Sequence, residues 1–366
     1  MTRPAQEALW LALMTDPDVD RMQSKAALYR WAIEEQRQLV ELAALDAARL
    51  RELLPELDEA QARAWQAALG RAEESERLLA AWRERGVELI TRADAAYPEN
   101  WVDRLAERWL PYVLFYRGNL ELLASPAVTV AGAENPTEAG GALATALGSR
   151  LGPSAHLLLG GFGQGVDRRA LTAASEALGR TILILPLGFG HAAPILSAGQ
   201  TAVEQGRRIE LSPYEPDAAY TPARGRARSL LVTALAEALI LIEPTVGPDE
   251  WPGHEALAAA GGLTLLWAQS DAVIRAAWEQ AGARPFDSAE MAESLVASHL
   301  LPQSDEIEVD PASADDEPAA EPVQFDDADS AIRQLSESGR VPDKLAQRLR
   351  DAEERGWLGD DETRNE

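Results

Sequence analysis

The spacing of apolar positions changes once decisively along this chain and divides it. Up to about residue 86, Leu, Ala and Trp recur every three or four residues, as on one face of a helix. Segments 7–13, 25–42, 47–54 and 59–85 carry this pattern, punctuated by Pro17, Pro55 and Gly86. Residues 1–86 are therefore expected to form a helical N-terminal domain with Trp10, Trp31, Trp65 and Trp82 in its core. Base stacking on these rings is the lesser alternative. Beyond Gly86 a short strand leads on, and from Val128 brief strand-like runs, most of them apolar, alternate with helical stretches. The runs are 128–131, 156–159, 181–185, 208–211, 238–242 and 263–266. Strands of that kind are buried on both faces, so residues 87–298 are predicted to be α/β, a doubly wound, Rossmann-like parallel sheet.

The remainder reads differently. Residues 299–330 are rich in Asp, Glu, Pro, Ala and Ser and lack the apolar residues a core needs, which predicts an acidic disordered linker. Residues 331–366 carry Ile332, Leu335, Val341, Leu345, Leu349, Trp357 and Leu358, the pattern of a short helical tail too small to fold alone.

Two of the strands run into glycine turns. The first ends at Gly132, and Asn135-Pro136-Thr137-Glu138 then starts a helix. The second ends in Gly160-Gly161-Phe162-Gly163-Gln164-Gly165-Val166-Asp167, with a helix over 168–178. Strand, turn and helix repeated side by side place backbone N–H groups and helix N-termini at one sheet edge, which suits a phosphate. Turns that bind nothing fit the same spacing. Asp167, at a helix start, is either a cap or a ligand-facing group.

Charge bears on the choice of ligand. The formal net charge of −26 repels nucleic acid unless positive charge is concentrated locally. Such a concentration exists: Arg224, Arg226 and Arg228 fall within five residues, and with Arg117, Arg207 and Arg208 they form the one basic patch the sequence offers. Arginines at a helix N-terminus oppose the helix dipole, which favours a counter-anion over a merely solvated face. The chain has no cysteine, excluding disulfides, iron–sulfur clusters and thiolate zinc sites, and its four histidines lack metal-ligand spacing. No window has the length of a membrane span, and a cytoplasmic protein without cofactor or metal is expected.

The second glycine turn resembles the Ser-Gly-x-Ala-x-Gly-Ile-Asp turn of the DNA-processing protein A (DprA/Smf) family, and residues 132–140 resemble that family's Gly-Ser-Arg turn. Tyr97-Pro98, Pro111 and Arg117-Gly118-Asn119 are similar to its lead-in to the sheet. Residues 181–188 follow its Thr-Ile-Ala-Val-Leu-Gly-x-Gly, with Pro186 in place of the first glycine. Residues 230–244 and 282–290 continue the likeness, which covers roughly 78–298. It departs where charge meets phosphate: Glu134 stands where the family has an Arg, Leu230 replaces one arginine of an Arg-Asn-Arg, and Leu171 replaces a His.

The resemblance implies a single-stranded DNA-binding protein of DNA uptake and recombination, without catalysis, that loads a RecA-type recombinase and pairs through its sheet domain. Backbone N–H groups of both turns, with Gly132, Thr137, Gly160, Gly161, Gly163, Gly165, Asp167, Arg117, Arg224, Arg226 and Arg228, would form the phosphate site. The alternative is a divergent domain of the wider superfamily that senses a nucleotide or nucleotide-derived ligand and signals to a protein partner. A nucleotide hydrolase using Glu134, Asp167 and Glu243 is a further option, although no nucleophile–base set stands out.

Overall fold

A computed structural model describes residues 3–300; the linker beyond residue 300 and the helical tail lie outside the described residues. The N-terminal part comprises α1 (Arg3–Thr15), α2 (Arg21–Leu28), α3 (Val40–Ala43), α4 (Ala47–Leu53), α5 (Glu59–Gly70) and α6 (Ala72–Arg83). Asp20, Asp46 and Asp58 cap α2, α4 and α5 by accepting N–H groups of the first turn. Two helices expected to be continuous are broken. Over 25–42, α2 passes into a π-turn at Tyr29–Glu34, and Gln36 takes a left-handed φ of 52°. Glu35-Gln36-Arg37-Gln38 has nothing to bury, so the chain turns back over Trp31, whose indole donates to the Gln38 carbonyl at 3.2 Å. The second break falls at Gly70 and Arg71, where Arg71 pairs with the buried Asp16. Trp10, Trp31 and Trp65 are buried, whereas Trp82 is half-buried with the Arg85 guanidinium over its ring.

The sheet follows. Its elements are β1 (Glu88–Thr91), α7 (Glu99–Arg104), β2 (Val113–Gly118), β3 (Ala127–Gly132), α8 (Glu138–Leu151), β4 (Leu157–Gly160), α9 (Val166–Glu176), β5 (Thr181–Ile184), α10 (Ala193–Glu204) and β6 (Arg208–Ser212). Then come α11 (Pro222–Leu235), β7 (Ala238–Ile242), α12 (His254–Ala259), β8 (Leu263–Trp267), α13 (Ala272–Gln280), β9 (Arg284–Phe286) and α14 (Ala289–Leu300). Strand order is β1-β2-β6-β5-β4-β3-β7-β8-β9. Strands β3 to β9 pair in parallel, and β1 and β2 pair antiparallel at one side. The segment expected only to lead into the sheet is thus a strand of it: β2 pairs with β6 along what would otherwise be an open edge, burying Val113, Leu114 and Phe115.

From β3 the chain steps outward through β4, β5 and β6, then returns to the other side of β3 with β7. Connections leave β3 in opposite directions, so a crevice opens at the carboxyl ends of β3 and its neighbours. One hydrophobic cluster runs from the N-terminal helices through the sheet, including Leu13, Trp65, Phe115 and Val130. Across this seam the Tyr112 hydroxyl donates to the Lys25 carbonyl at 3.0 Å, and the rings of Trp10 and Tyr112 lie 6.0 Å apart.

Trp65 donates from its indole to Ser24 Oγ at 2.7 Å inside this core. Trp65→Phe removes ring volume and leaves a buried hydroxyl without its donor. Urea unfolding is expected to show a loss of about 1–3 kcal/mol.

Candidate anion-binding crevice

The crevice is a cavity of about 170 Å³ lined by Gly132, Gly161, Asp167, Arg228, Thr233 and Trp251, among others. The second glycine turn shapes it. Gly165 has φ 71°, and a Cβ there would strike the carbonyl oxygens of Ala133 and Glu134, so the chain can enter α9 at this point only through glycine. Gly161, lacking a side chain, lets Arg228 lie directly on the backbone. Asp167 closes the turn: its Oδ2 accepts the N–H groups of Gly161 at 3.2 Å and Gly163 at 2.7 Å. Its other oxygen, Oδ1, is buried with no hydrogen-bond partner, as is Nε of Arg228. The nearest guanidinium–carboxylate distance between these two residues is 3.8 Å. Burial pushes the Asp167 carboxyl above the usual aspartate range, opposed by Arg228 and by the two N–H groups.

The first turn is closed in the same manner. Glu243, at the end of β7 with a left-handed φ of 49°, accepts the Thr137 N–H at 2.8 Å and also the Thr137 hydroxyl. Thr137 Oγ in turn accepts the Gly140 N–H at 3.1 Å, capping α8. The Glu243 N–H donates to Ser270 Oγ at 3.2 Å. An internal carboxylate therefore sits at the N-terminus of α8, the place the sequence pattern offers to a phosphate. N–H groups of Gly161, Gly163 and Thr137, assigned from sequence to a ligand, are engaged by Asp167 and Glu243.

The six arginines of the basic patch separate. At about 100° per residue, Arg226 of α11 points away from Arg224 and Arg228, which lie one turn apart on the same face and part only because their side chains run to different cavities. Arg228 enters the crevice, Arg226 is exposed, and Arg224 lines a separate groove. There Arg224 donates to the Ala219 carbonyl and stands 5.0 Å from the Tyr214 ring centre. Arg117 is not at the crevice: it holds the fully buried Glu210 at 2.8 Å and donates to the Leu196 carbonyl on the α10 side of the sheet. Arg208, also buried, comes within 3.0 Å of the same carboxylate. A buried acid needs partners, and Glu210 claims both. Arg207 donates to the Gly179 carbonyl and to Gln205.

Other residues reach the site that the sequence pattern did not single out. Arg168 and Arg169, with Glu134 and Gln164, border a second cavity of about 330 Å³ alongside the crevice, and Glu134 and Gln164 line both. Arg168 stands 5.2 Å from the Phe162 ring centre. The signal was present as an Arg-Arg doublet directly after Asp167, in the first turn of a predicted helix. Trp251 forms a wall, with its indole 3.3 Å from Thr233 Oγ; it belongs to the segment after Glu243 that departs from the family pattern. Among the described residues no group of three or more His, Cys, Asp or Glu side chains could hold a metal ion. No described helix is long and apolar enough to cross a membrane.

A mostly parallel sheet, a switch point at β3 and paired glycine turns at its carboxyl edge define a Rossmann-like domain with a crevice at that edge. Residues 88–246 match the sequence model of the family described as DNA recombination-mediator protein A. Over this span the chain is similar to the DprA/Smf family. The DNA processing protein DprA of Bacillus subtilis (strain 168) is 27% identical over 168 residues, which is 46% of this chain and 56% of that protein. The match therefore spans little more than half of the relative's length. The X-ray structure of DprA from Streptococcus pneumoniae, 18% identical, covers 80% of this chain and 98% of its own with a TM-score of 0.57, and it shares the fold. A structure of DprA from Helicobacter pylori, described for that protein's single-stranded DNA binding mode, is 19% identical over 58% of this chain, with a TM-score of 0.48.

Glu243→Gln removes the negative charge at the α8 N-terminus while keeping an acceptor. A loss of about 1 kcal/mol in urea unfolding is expected. An unchanged midpoint would mean that the carboxylate does not act as the helix counter-charge.

Proposed function

We propose that this protein is a DprA-like single-stranded DNA-binding protein of DNA uptake or recombination, and that it acts without catalysis, passing the strand to a RecA-type recombinase. One observation carries the reading: Arg228 projects into a crevice between two glycine turns with its Nε buried and unpaired. An unsatisfied buried guanidinium donor is costly, and a phosphate oxygen is a natural acceptor for it. Arg168 and Arg169 on the adjoining rim extend the positive path, so one nucleotide's phosphate would sit at Arg228 and its neighbour's at the α9 N-terminus. Asp167 and Glu243 hold the two turns, which supports a binding role over an acid–base pair. In a family setting, a second copy pairing through the sheet domain would lengthen the path.

The second reading, a sensor of a single nucleotide, is favoured by the modest volume of the crevice and by the internal carboxylates that already occupy its turns. A strand and a mononucleotide would share the Arg228 contact and differ in their use of Arg168 and Arg169.

Fluorescence anisotropy of a labelled single-stranded oligonucleotide distinguishes these. Arg228→Ala is expected to weaken binding by about tenfold or more and to flatten the salt dependence by about 0.7 in log–log slope for each phosphate that is no longer neutralised. Arg226→Ala should change little. Equal affinity of wild type and Arg228→Ala at low salt would overturn the strand-binding role at this crevice.

A pH dependence follows from Asp167. Its carboxyl is raised, so on acidification it takes a proton earlier than an ordinary aspartate, and repulsion of an incoming phosphate falls. Oligonucleotide affinity should therefore rise as pH is lowered from neutral. Asp167→Asn, neutral throughout, should bind more tightly at neutral pH and lose most of that rise.

A further inference from the structure

Beyond the crevice, on the other side of α11, a groove of about 210 Å³ runs along the seam between the N-terminal helices and the sheet. Its floor is apolar, with Phe115 and Leu231 buried in it. Its mouth is cationic: Arg21, Lys25 and Arg224 line it against one acid, Glu215, in a chain whose net charge is −26. The Arg21–Glu215 pair is loose, at 3.9 Å between exposed side chains. Burial raises the Glu215 carboxyl, with Arg21 and Arg224 opposing. Two aromatic rings also line the groove. Trp109 is 53% exposed, a large indole held at the surface by a short 3₁₀ turn. Tyr214 is half-buried, with the Arg224 guanidinium beside it.

Exposed aromatic faces beside cations over an apolar floor are the chemistry that receives a base and its phosphate. The groove is smaller than the roughly 300–1,000 Å³ of sites for drug-sized ligands, which suits one unit and no more. We propose that this groove binds a single nucleoside phosphate, its base on the Trp109 and Tyr214 rings and its phosphate at Arg21 and Arg224. The ligand is either a free nucleotide or one unit of a single strand, and the site stands on its own residues, independent of the Arg228 crevice. Arg224 and Arg228 stand one turn apart on the same helix and line different cavities, so α11 joins the two sites physically.

Lys25 supplies a direct readout. It lines the groove and donates from Nζ to the carbonyls of Arg108 at 2.9 Å and Leu110 at 2.7 Å. Burial lowers its pKa to about 8, so at that pH much of the amine is neutral and reactive. Lys25 and Lys344 are the two lysines of the chain, and Lys344, outside the described residues, serves as internal standard. The full-length protein is acetylated at pH 8 with dAMP or an oligo-dT strand, and the rate at each lysine is read by peptide mass spectrometry. Slowing at Lys25 relative to Lys344 is expected. Protection by dAMP identifies a free nucleotide as sufficient, whereas protection by the strand alone identifies a unit of DNA. Trp109→Ala and Arg21→Ala should each raise the concentration for half-protection about tenfold, and Arg228→Ala should leave that for dAMP unchanged. Protection by neither probe overturns the proposal. So does protection that survives both groove variants unchanged, or dAMP protection that disappears in Arg228→Ala, which would place the ligand in the crevice alone. Loss of oligonucleotide binding in Arg228→Ala with Lys25 protection by dAMP intact would separate the two sites.

Discussion

Parallel strands that end in glycine turns leave backbone N–H groups pointing out of the sheet with no strand to receive them, and those donors need an acceptor. Here Asp167 receives two of them and Glu243 a third, together with the Thr137 hydroxyl. The turns are therefore ordered without a ligand. The N–H groups of Gly161, Gly163 and Thr137 are thereby withheld from a phosphate. Arg228 matters for that reason: it is packed on Gly161, beside Asp167, with a donor still unfilled.

A second constraint operates under α10. Glu210 is fully buried and held between Arg117 and Arg208, so two of the chain's arginines are committed to structure. Removing one partner of such a group strands the rest in a poor solvent, which is why these arginines are not available at the surface. Among the described residues, the arginines at the two cavities lie about α11 and the start of α9: Arg228 with Arg168 and Arg169 at the crevice, Arg224 with Arg21 at the groove. In a protein this acidic, such concentrations of cations define where an anion can approach.

The fold was largely legible in the chain. Most parallel strands from β3 to β8 could be seen as short apolar runs, because strands covered on both faces need no alternation; β6 alternates because it seats the Arg208–Glu210 pair. Thr137 was legible as a helix cap, since its side chain can satisfy only N–H groups close to it in the chain, whereas Asp167 sits in the first turn of α9 and its carboxylate receives the preceding glycine turn instead of capping the helix. Less visible were the breaks at 35–38 and at Gly70, where local periodicity continues but packing over Trp31 and the Arg71–Asp16 pair interrupts the helix. The strand at Val113–Gly118 was hidden for a related reason: its role depends on pairing with β6, almost a hundred residues later, and nothing local announces such a partner.

Local patterning by itself determined which segments became strands and helices and where the glycine turns fell, because these follow from periodicity, backbone freedom and capping within a few residues. Only the tertiary structure decided which charges face the crevice. Of three arginines within five residues, Arg226 faces solvent while Arg228 and Arg224 run from one helix face to different cavities, Arg117 is drawn to a buried acid far along the chain, and two carboxylates fold back onto the turns. Burial and partner choice are set by residues distant in sequence, so a charge's role is known only when its neighbours in space are.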